Sequence, residues 1–214
     1  MHRENGQKIL KIRNKKFIYL ISPNKIKNKS FYYSLNLVLK SKKINFFQLR
    51  LKKESIKKKL IIAKKILKIC KKNKVKFIVN DDPYLALKVN ADGCHLGQKD
   101  MNVIEAKKIL KNKIIGVTCH NSIKLAKKAL INGANYIALG AFYKTKTKKV
   151  RFNADINTLI KIKKSVNLPV VAIGGIHDKN YKKLLLNKAD FLAISGYIWN
   201  NKKFKPHQAI KSLT

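Results

Sequence analysis

The chain has 214 residues, 45% of them apolar, which is enough for one domain with a real core. Fifty Lys and Arg against ten Asp and Glu give a formal charge of +40, yet only four of the fifty are Arg (Arg3, Arg13, Arg50, Arg151), the residue favoured by phosphate and base readers. The lysines are spread along every helical stretch rather than on one stripe, so the charge reads as background composition and argues against a specific nucleic-acid function, leaving weak salt-sensitive binding of polyanions.

No apolar run approaches the roughly 18 residues of a membrane span. Residues 1–16 form a basic N-terminal extension and lead into a mostly apolar stretch of only six residues (17–22), too short for a signal-peptide core. Cys70, Cys94 and Cys119 have no metal-ligand spacing and suit reduced thiols in a cytoplasmic protein.

From residue 17 to 214 strand-like and helix-like stretches alternate. Residues 17–22 read as a buried strand and 30–40 as a helix; 45–51 form the second strand, and 54–72 a long helix with Ile56, Leu60, Ala63, Leu67 and Cys70 on its apolar face. The third strand is 75–80 with a short helix 83–89, the fourth 93–96 with a helix 102–110 that Asn102 and Glu105 start in the manner of a capping box. The fifth is 114–119 with helix 122–131, and the sixth is 136–141, followed by a basic loop and a helix 156–166 opened by Asp155. The seventh is 169–176 with a helix to Leu186 capped by Asp178, and the eighth is 191–195, with a weaker helix near 206–212. Eight units of continuous apolar strands and amphipathic helices imply a parallel sheet closed as a (β/α)8 TIM barrel in a single α/β domain; an open doubly wound sheet is the runner-up. Asn90-Ala-Asp92, Gly133-Ala-Asn135 and Lys188-Ala-Asp190 recur before strands four, six and eight, as expected of one unit copied around a barrel.

Most of the ten acids have structural tasks. Glu54, Glu105, Asp155 and Asp178 sit at helix starts, Asp92 and Asp190 at strand entrances, Glu4 in the extension, and Asp82 before Pro83 reads as a cap. Asp81 and Asp100 remain, each just past the end of a successive strand, where two carboxylates can hold a divalent cation such as Mg²⁺ together with ligand phosphate and water.

Barrel enzymes place their chemistry at these strand exits. Gln48, Arg50 and Lys52 alternate on one face at the second exit and suit a diphosphate. His120 follows the fifth strand, where it reads as a cap or a catalyst. Thr145, Lys146, Thr147 and Lys148 interleave hydroxyls and ammonium groups beyond the sixth. Gly174-Gly175 and Ser195-Gly196 end the seventh and eighth, the recurrent phosphate site of this fold. Two anion sites across one mouth argue for two phosphorylated ligands or one bisphosphate.

These residues carry a resemblance. Gln48-Leu-Arg50-Leu-Lys52, Asn80-Asp81, His95-Leu-Gly-Gln-Lys-Asp100, Gly116-Val-Thr-Cys-His120, Thr145-Lys-Thr147-Lys148 and Ala172-Ile-Gly-Gly-Ile176 stand in the order and spacing of the thiamine-phosphate synthase family, and the similarity extends from about Phe17 to Trp199. The resemblance implies a transferase that joins a hydroxymethylpyrimidine diphosphate to a hydroxyethylthiazole phosphate with Mg²⁺ and releases pyrophosphate by a dissociative route. It implies a pyrimidine diphosphate site of Gln48, Leu49, Arg50, Leu51, Lys52, Asn80, Thr118 and Lys148, with Arg50, Lys52 and Lys148 catalytic and Asp81 and Asp100 on the metal. It implies a thiazole phosphate site of Thr145, Lys146, Thr147, Gly175, Ser195 and Gly196. Thr118 replaces the family's usual Ser but keeps a hydroxyl; Gly196 replaces another Ser and keeps only its backbone N–H, while Leu51, Ala141 and Tyr143 depart without touching an assigned role. The rival readings are a thiazole tautomerase of the same fold using His120 and, from another class, a basic nucleic-acid-binding module. Whether the chain forms a homo-oligomer is left open by the sequence.

Overall fold

A computed structural model of the chain describes residues 17–26, 28–145 and 151–213; the basic extension and residues 146–150 lie outside them. Eight strands follow in chain order: β1 (Ile18–Ile21), β2 (Ile44–Leu49), β3 (Lys76–Asn80), β4 (Gly93–Leu96), β5 (Ile114–His120), β6 (Tyr136–Gly140), β7 (Val170–Ile173) and β8 (Phe191–Ile194). All neighbours are parallel and β8 pairs with β1, so the sheet is a closed (β/α)8 TIM barrel, as the alternation of units implies. Around it lie α1 (Ser30–Leu39), α2 (Ile56–Lys72), α3 (Pro83–Lys88), α4 (Val103–Leu110), α5 (Ile123–Ile131), α6 (Ile156–Ser165), α7 (Tyr181–Leu186), α8 (Gly196–Trp199) and α9 (Pro206–Lys211). No helix among the described residues is long and apolar enough to cross a membrane.

Strand alternation divides the core in two. Outward residues such as Leu20, Phe47, Leu49, Phe77 and Val79 join the helices in one apolar layer, which also contains Leu51. Inward residues Tyr19, Ile21, Tyr136, Ala138, Val171 and Ala193 fill the barrel with Phe46, Ile114, Ile173 and Phe191. The long helix α2 turns a slightly different face inward than its periodicity suggests: Ile62, Ala63, Ile66 and Cys70 are buried, whereas Ile56 is exposed.

The repeated trios have one structural explanation. Asn90, Gly133 and Lys188 each adopt a left-handed backbone that ends a helix. A buried Ala follows, and its N–H donates back to a carbonyl of that helix (Ala86, Ala129, Leu184). The Asx residue then binds the start of the neighbouring strand: Asp92, Asn135 and Asp190 accept at 2.8 Å from the N–H of Phe77, Ile115 and Val170. They bridge two strands rather than closing a local turn. Asp190→Ala leaves the Val170 N–H buried without an acceptor, a loss of about 1–3 kcal/mol, or roughly 2–4 °C of melting temperature per kcal/mol in a domain of this size. Asp190→Asn keeps an acceptor and loses only the ion pair to Lys163, so its melting temperature should fall less. Equal midpoints for the two variants would show that the bridge contributes nothing.

Local signals are met at Asp82, Asn102, Ser122 and Asp155, whose side chains accept from the N–H groups of Leu85, Glu105, Leu125 and Thr158. Two expectations need correction. Asp178 does not cap α7, because the chain turns once more and Asn180 takes the cap position, its Oδ1 accepting from the His177 N–H. Glu54 lies before the Ser55 cap of α2 and instead pairs with Lys58 at 2.8 Å. Strand seven also stops at Ile173, where Gly174 (φ 110°) and Gly175 (φ 60°) leave extended geometry.

Candidate active site

The β2 exit carries the first cationic group. Gln48 is buried, and its Nε2 donates to Tyr19 Oη at 3.3 Å. The Arg50 N–H donates to Ser22 Oγ (2.9 Å) and its guanidinium to Asn24 Oδ1 (3.2 Å), so the β1 exit fixes it at both ends. Burial lowers the Arg50 pKa and the nearby Asp81 charge opposes that shift. Lys52 reaches Asp81 Oδ2 at 2.9 Å. The side chains of Leu49 and Leu51 are buried in the apolar layer, so what they can offer a ligand is backbone.

Asp81 follows β3 in a left-handed conformation (φ 65°), which is uncommon for any residue but glycine, and its N–H donates to the His95 carbonyl at 2.8 Å. Asp100 closes the turn after β4 by accepting from the Gly97 N–H at 2.7 Å. The two carboxylates are close enough to share a hydrogen. Burial acts to raise Asp81, but the hydrogen bond from Asp100 and the Lys52 ammonium outweigh it and hold Asp81 below the usual carboxylate range. Burial and the Asp81 charge push Asp100 up. Two acids forced together with one flanking ammonium form a site that a divalent cation would relieve. The donors are oxygens, and among the described residues no cluster of three or more His, Cys, Asp or Glu could hold a metal. That set fits a hard ion that completes its shell with water and phosphate, and does not fit a transition metal held by protein alone.

Thr118 on β5 lies 2.9 Å from His95 Nε2, and its carbonyl accepts from Gln98 Nε2. His120 ends the strand with φ 54° and stacks on Phe152, ring centroids 4.3 Å apart. Phe152 is placed there because residues 152–154 return to pair with Ala141 at the β6 exit. Of the loop beyond β6, Thr145 is described and half-buried, while Lys146, Thr147 and Lys148 lie outside the described residues. Gly174 and Gly175 are needed by that loop as well as by any ligand: a Cβ on either would collide with Ala141 or with the Lys144 carbonyl. Ser195 Oγ donates to the Ser22 carbonyl (3.1 Å), and Trp199 Nε1 donates to the Ile21 carbonyl (2.7 Å), so Ser195, Gly196 and α8 are tied to the β1 exit. All three cysteines are buried, and burial pushes the Cys119 thiol up to about 12, which removes them as nucleophiles.

The structure thus joins Gln48, Arg50, Lys52, Asn80, Asp81, Asp100 and Thr118 around strands β2 to β5, with Gly175, Ser195 and Gly196 at the β7 and β8 exits. Sequence reasoning missed Ser22 and Asn24, which hold Arg50, and the buried trio Tyr19, Tyr136 and His95. The trio's only signal was polar residues at inward positions of apolar strands.

Comparison with known proteins agrees with this geometry. The family described as thiamine monophosphate synthase matches residues 18–198. The chain is 71% identical over 200 residues to a thiamine-phosphate synthase of Pelagibacter ubique, covering 94% of this chain and 97% of that one. It is 38% identical to the thiamine-phosphate synthase of Clostridium acetobutylicum, covering 88% and 89%. The solved thiamine phosphate pyrophosphorylase of Pyrococcus furiosus superposes with a TM-score of 0.81 at 30% identity, over 94% of this chain and 95% of that one. The chain therefore belongs to the thiamine monophosphate synthase family, and is an enzyme of the transferase class.

Proposed function

We propose that the chain condenses 4-amino-5-hydroxymethyl-2-methylpyrimidine diphosphate with hydroxyethylthiazole phosphate, giving thiamine phosphate and pyrophosphate with the help of Mg²⁺. The observation that carries this reading is the Asp81–Asp100 pair beside Lys52 and Arg50 at adjoining strand exits. Asp81 and Asp100 would hold the ion, which when bound neutralises charge on the diphosphate.

The chain's own groups do the rest. Gln48 and Thr118 seat the pyrimidine, assisted by Asn80 and the backbone at Leu49 and Leu51. Arg50, Lys52 and Lys148 stabilise the charge that grows on the leaving pyrophosphate, and Arg50 and Lys52 are held at the β2 exit before reaction. The carbon–oxygen bond breaks with both electrons going to pyrophosphate, and the electron-rich aminopyrimidine carries the resulting cation. The thiazole nitrogen, held by its phosphate at Thr145, Lys146, Thr147, Gly175, Ser195 and Gly196, supplies the electron pair of the new carbon–nitrogen bond. This route needs no protein nucleophile, and the three buried thiols supply none. The protein contributes positioning and electrostatics. Incubation with both phosphorylated halves should give thiamine phosphate with Mg²⁺ and little without it; equal yield in a chelator would exclude the metal's role, and no product in either condition would exclude the reaction.

A further inference from the structure

We infer that Tyr19, Tyr136 and His95 form a one-directional hydrogen-bond relay through the barrel interior, which makes Gln48 an acceptor and Thr118 a donor toward the ligand and so selects an aminopyrimidine edge over an oxopyrimidine one. The inference deepens, and rests on, the functional reading above.

The relay is continuous. Gln48 Nε2 lies 3.3 Å from Tyr19 Oη, Tyr19 Oη 2.7 Å from Tyr136 Oη, Tyr136 Oη 2.9 Å from His95 Nδ1, and His95 Nε2 2.9 Å from Thr118 Oγ1. Tyr19, Tyr136 and Gln48 are 2–3% exposed and His95 9%, so water does not substitute for a missing partner. Direction follows from the first link. An amide nitrogen can only donate, so Tyr19 accepts from Gln48 and passes its own hydrogen to Tyr136. Tyr136 in turn donates to His95 Nδ1, which must then be bare, leaving the hydrogen on Nε2 to be given to Thr118. Every member gives one hydrogen and takes one.

Burial holds both phenols above their ordinary pKa, so neither loses the hydrogen that the chain needs. The consequence appears at the two ends. With Nε2 turned to Tyr19, Gln48 keeps Oε1 to accept beside the one Nε2 hydrogen the relay does not use, and Thr118 keeps its hydroxyl hydrogen to donate. An aminopyrimidine presents an N–H donor next to a ring-nitrogen acceptor and meets both. In the same seat an oxopyrimidine sets acceptor against acceptor and N–H against hydroxyl hydrogen. The opposite polarity is reachable only if the Gln48 amide turns over and His95 carries its hydrogen on Nδ1.

Two readouts test the relay in the full chain. Nitrogen NMR of histidine-labelled protein, with His95 assigned by difference against His95→Gln, should find Nε2 protonated and Nδ1 bare; hydrogen on Nδ1 overturns the proposal. In Tyr136→Phe that assignment should be lost, and the preference in kcat/KM for the amino over the 4-oxo pyrimidine diphosphate should fall about tenfold or more, through KM rather than kcat. A variant that slows both substrates equally shows a structural role only and overturns the selective one. An unaltered chain that turns over neither substrate removes the functional reading instead, and the nitrogen spectrum then decides the relay alone.

Discussion

Asp100→Asn will cut Mg²⁺-dependent turnover by at least about a hundredfold, while the melting temperature of the metal-free protein stays equal to or rises above that of the unaltered chain. The two halves of this expectation have one cause. Asp100 stands against Asp81, and burial together with the Asp81 charge makes Asp100 harder to ionise, while Asp81 stays charged against Lys52. Asn keeps the oxygen that accepts from the Gly97 N–H, so the turn after β4 survives, but it deletes the charge that repels Asp81. A residue retained for stability would behave the other way. Asp81→Asn should lose activity to a similar degree and also release Lys52. Asn is the better replacement than Ala because it tolerates the left-handed backbone at φ 65°, so a lost activity is not confounded by backbone strain. Added Mg²⁺ should raise the melting temperature of the unaltered protein and of neither variant, since only a ligand that prefers the folded state stabilises it. Normal turnover in either variant would sink the metal assignment.

How legible this site was depends on the kind of residue. Asp81 and Asp100 could be found because acids are scarce and the others had visible structural tasks at caps and strand entrances. The barrel could be found because its strands are apolar on both faces and its helices amphipathic, a pattern that only a covered parallel sheet explains. Asp178 misled because Asp before a helix is a sound cap signal, yet the cap position falls two residues later at Asn180, after an extra turn held by its own side chain. The role of His95 was not readable at all. It sits inside a four-residue buried strand, and its partners Tyr136 and Thr118 are 41 and 23 residues away in the chain. Only strand register brings them together, and register is a property of the closed barrel rather than of any segment.

Gly116 shows how that register places a severe demand on one small residue, and Gly116→Ala is expected to be among the most damaging conservative changes in the chain. Its backbone lies outside the left-handed region, so conformational freedom is not what requires glycine there. The requirement is space: an added Cβ would overlap the Cζ and both Cε atoms of Tyr136, the far end of a ring enclosed by the barrel wall. A ring so enclosed cannot swing to solvent, so the substitution overpacks the interior at a cost of about 1–3 kcal/mol, equivalent to roughly 2–4 °C of melting temperature per kcal/mol. It must also draw Tyr136 Oη away from Tyr19 and His95, raising KM for the pyrimidine substrate. The attribution can be isolated by a double-mutant cycle with Tyr136→Leu, whose side chain stops short of the atoms that collide. Each single change should lower the melting temperature, but the double variant should be more stable than their sum by about 1–3 kcal/mol, because the clash exists only when Cβ and ring are both present. Affinity for the pyrimidine should not return with stability, since leucine has no hydroxyl to offer His95. Strict additivity would mean that the ring is not seated over residue 116, and the relay through Tyr136 would lose its geometric basis with it.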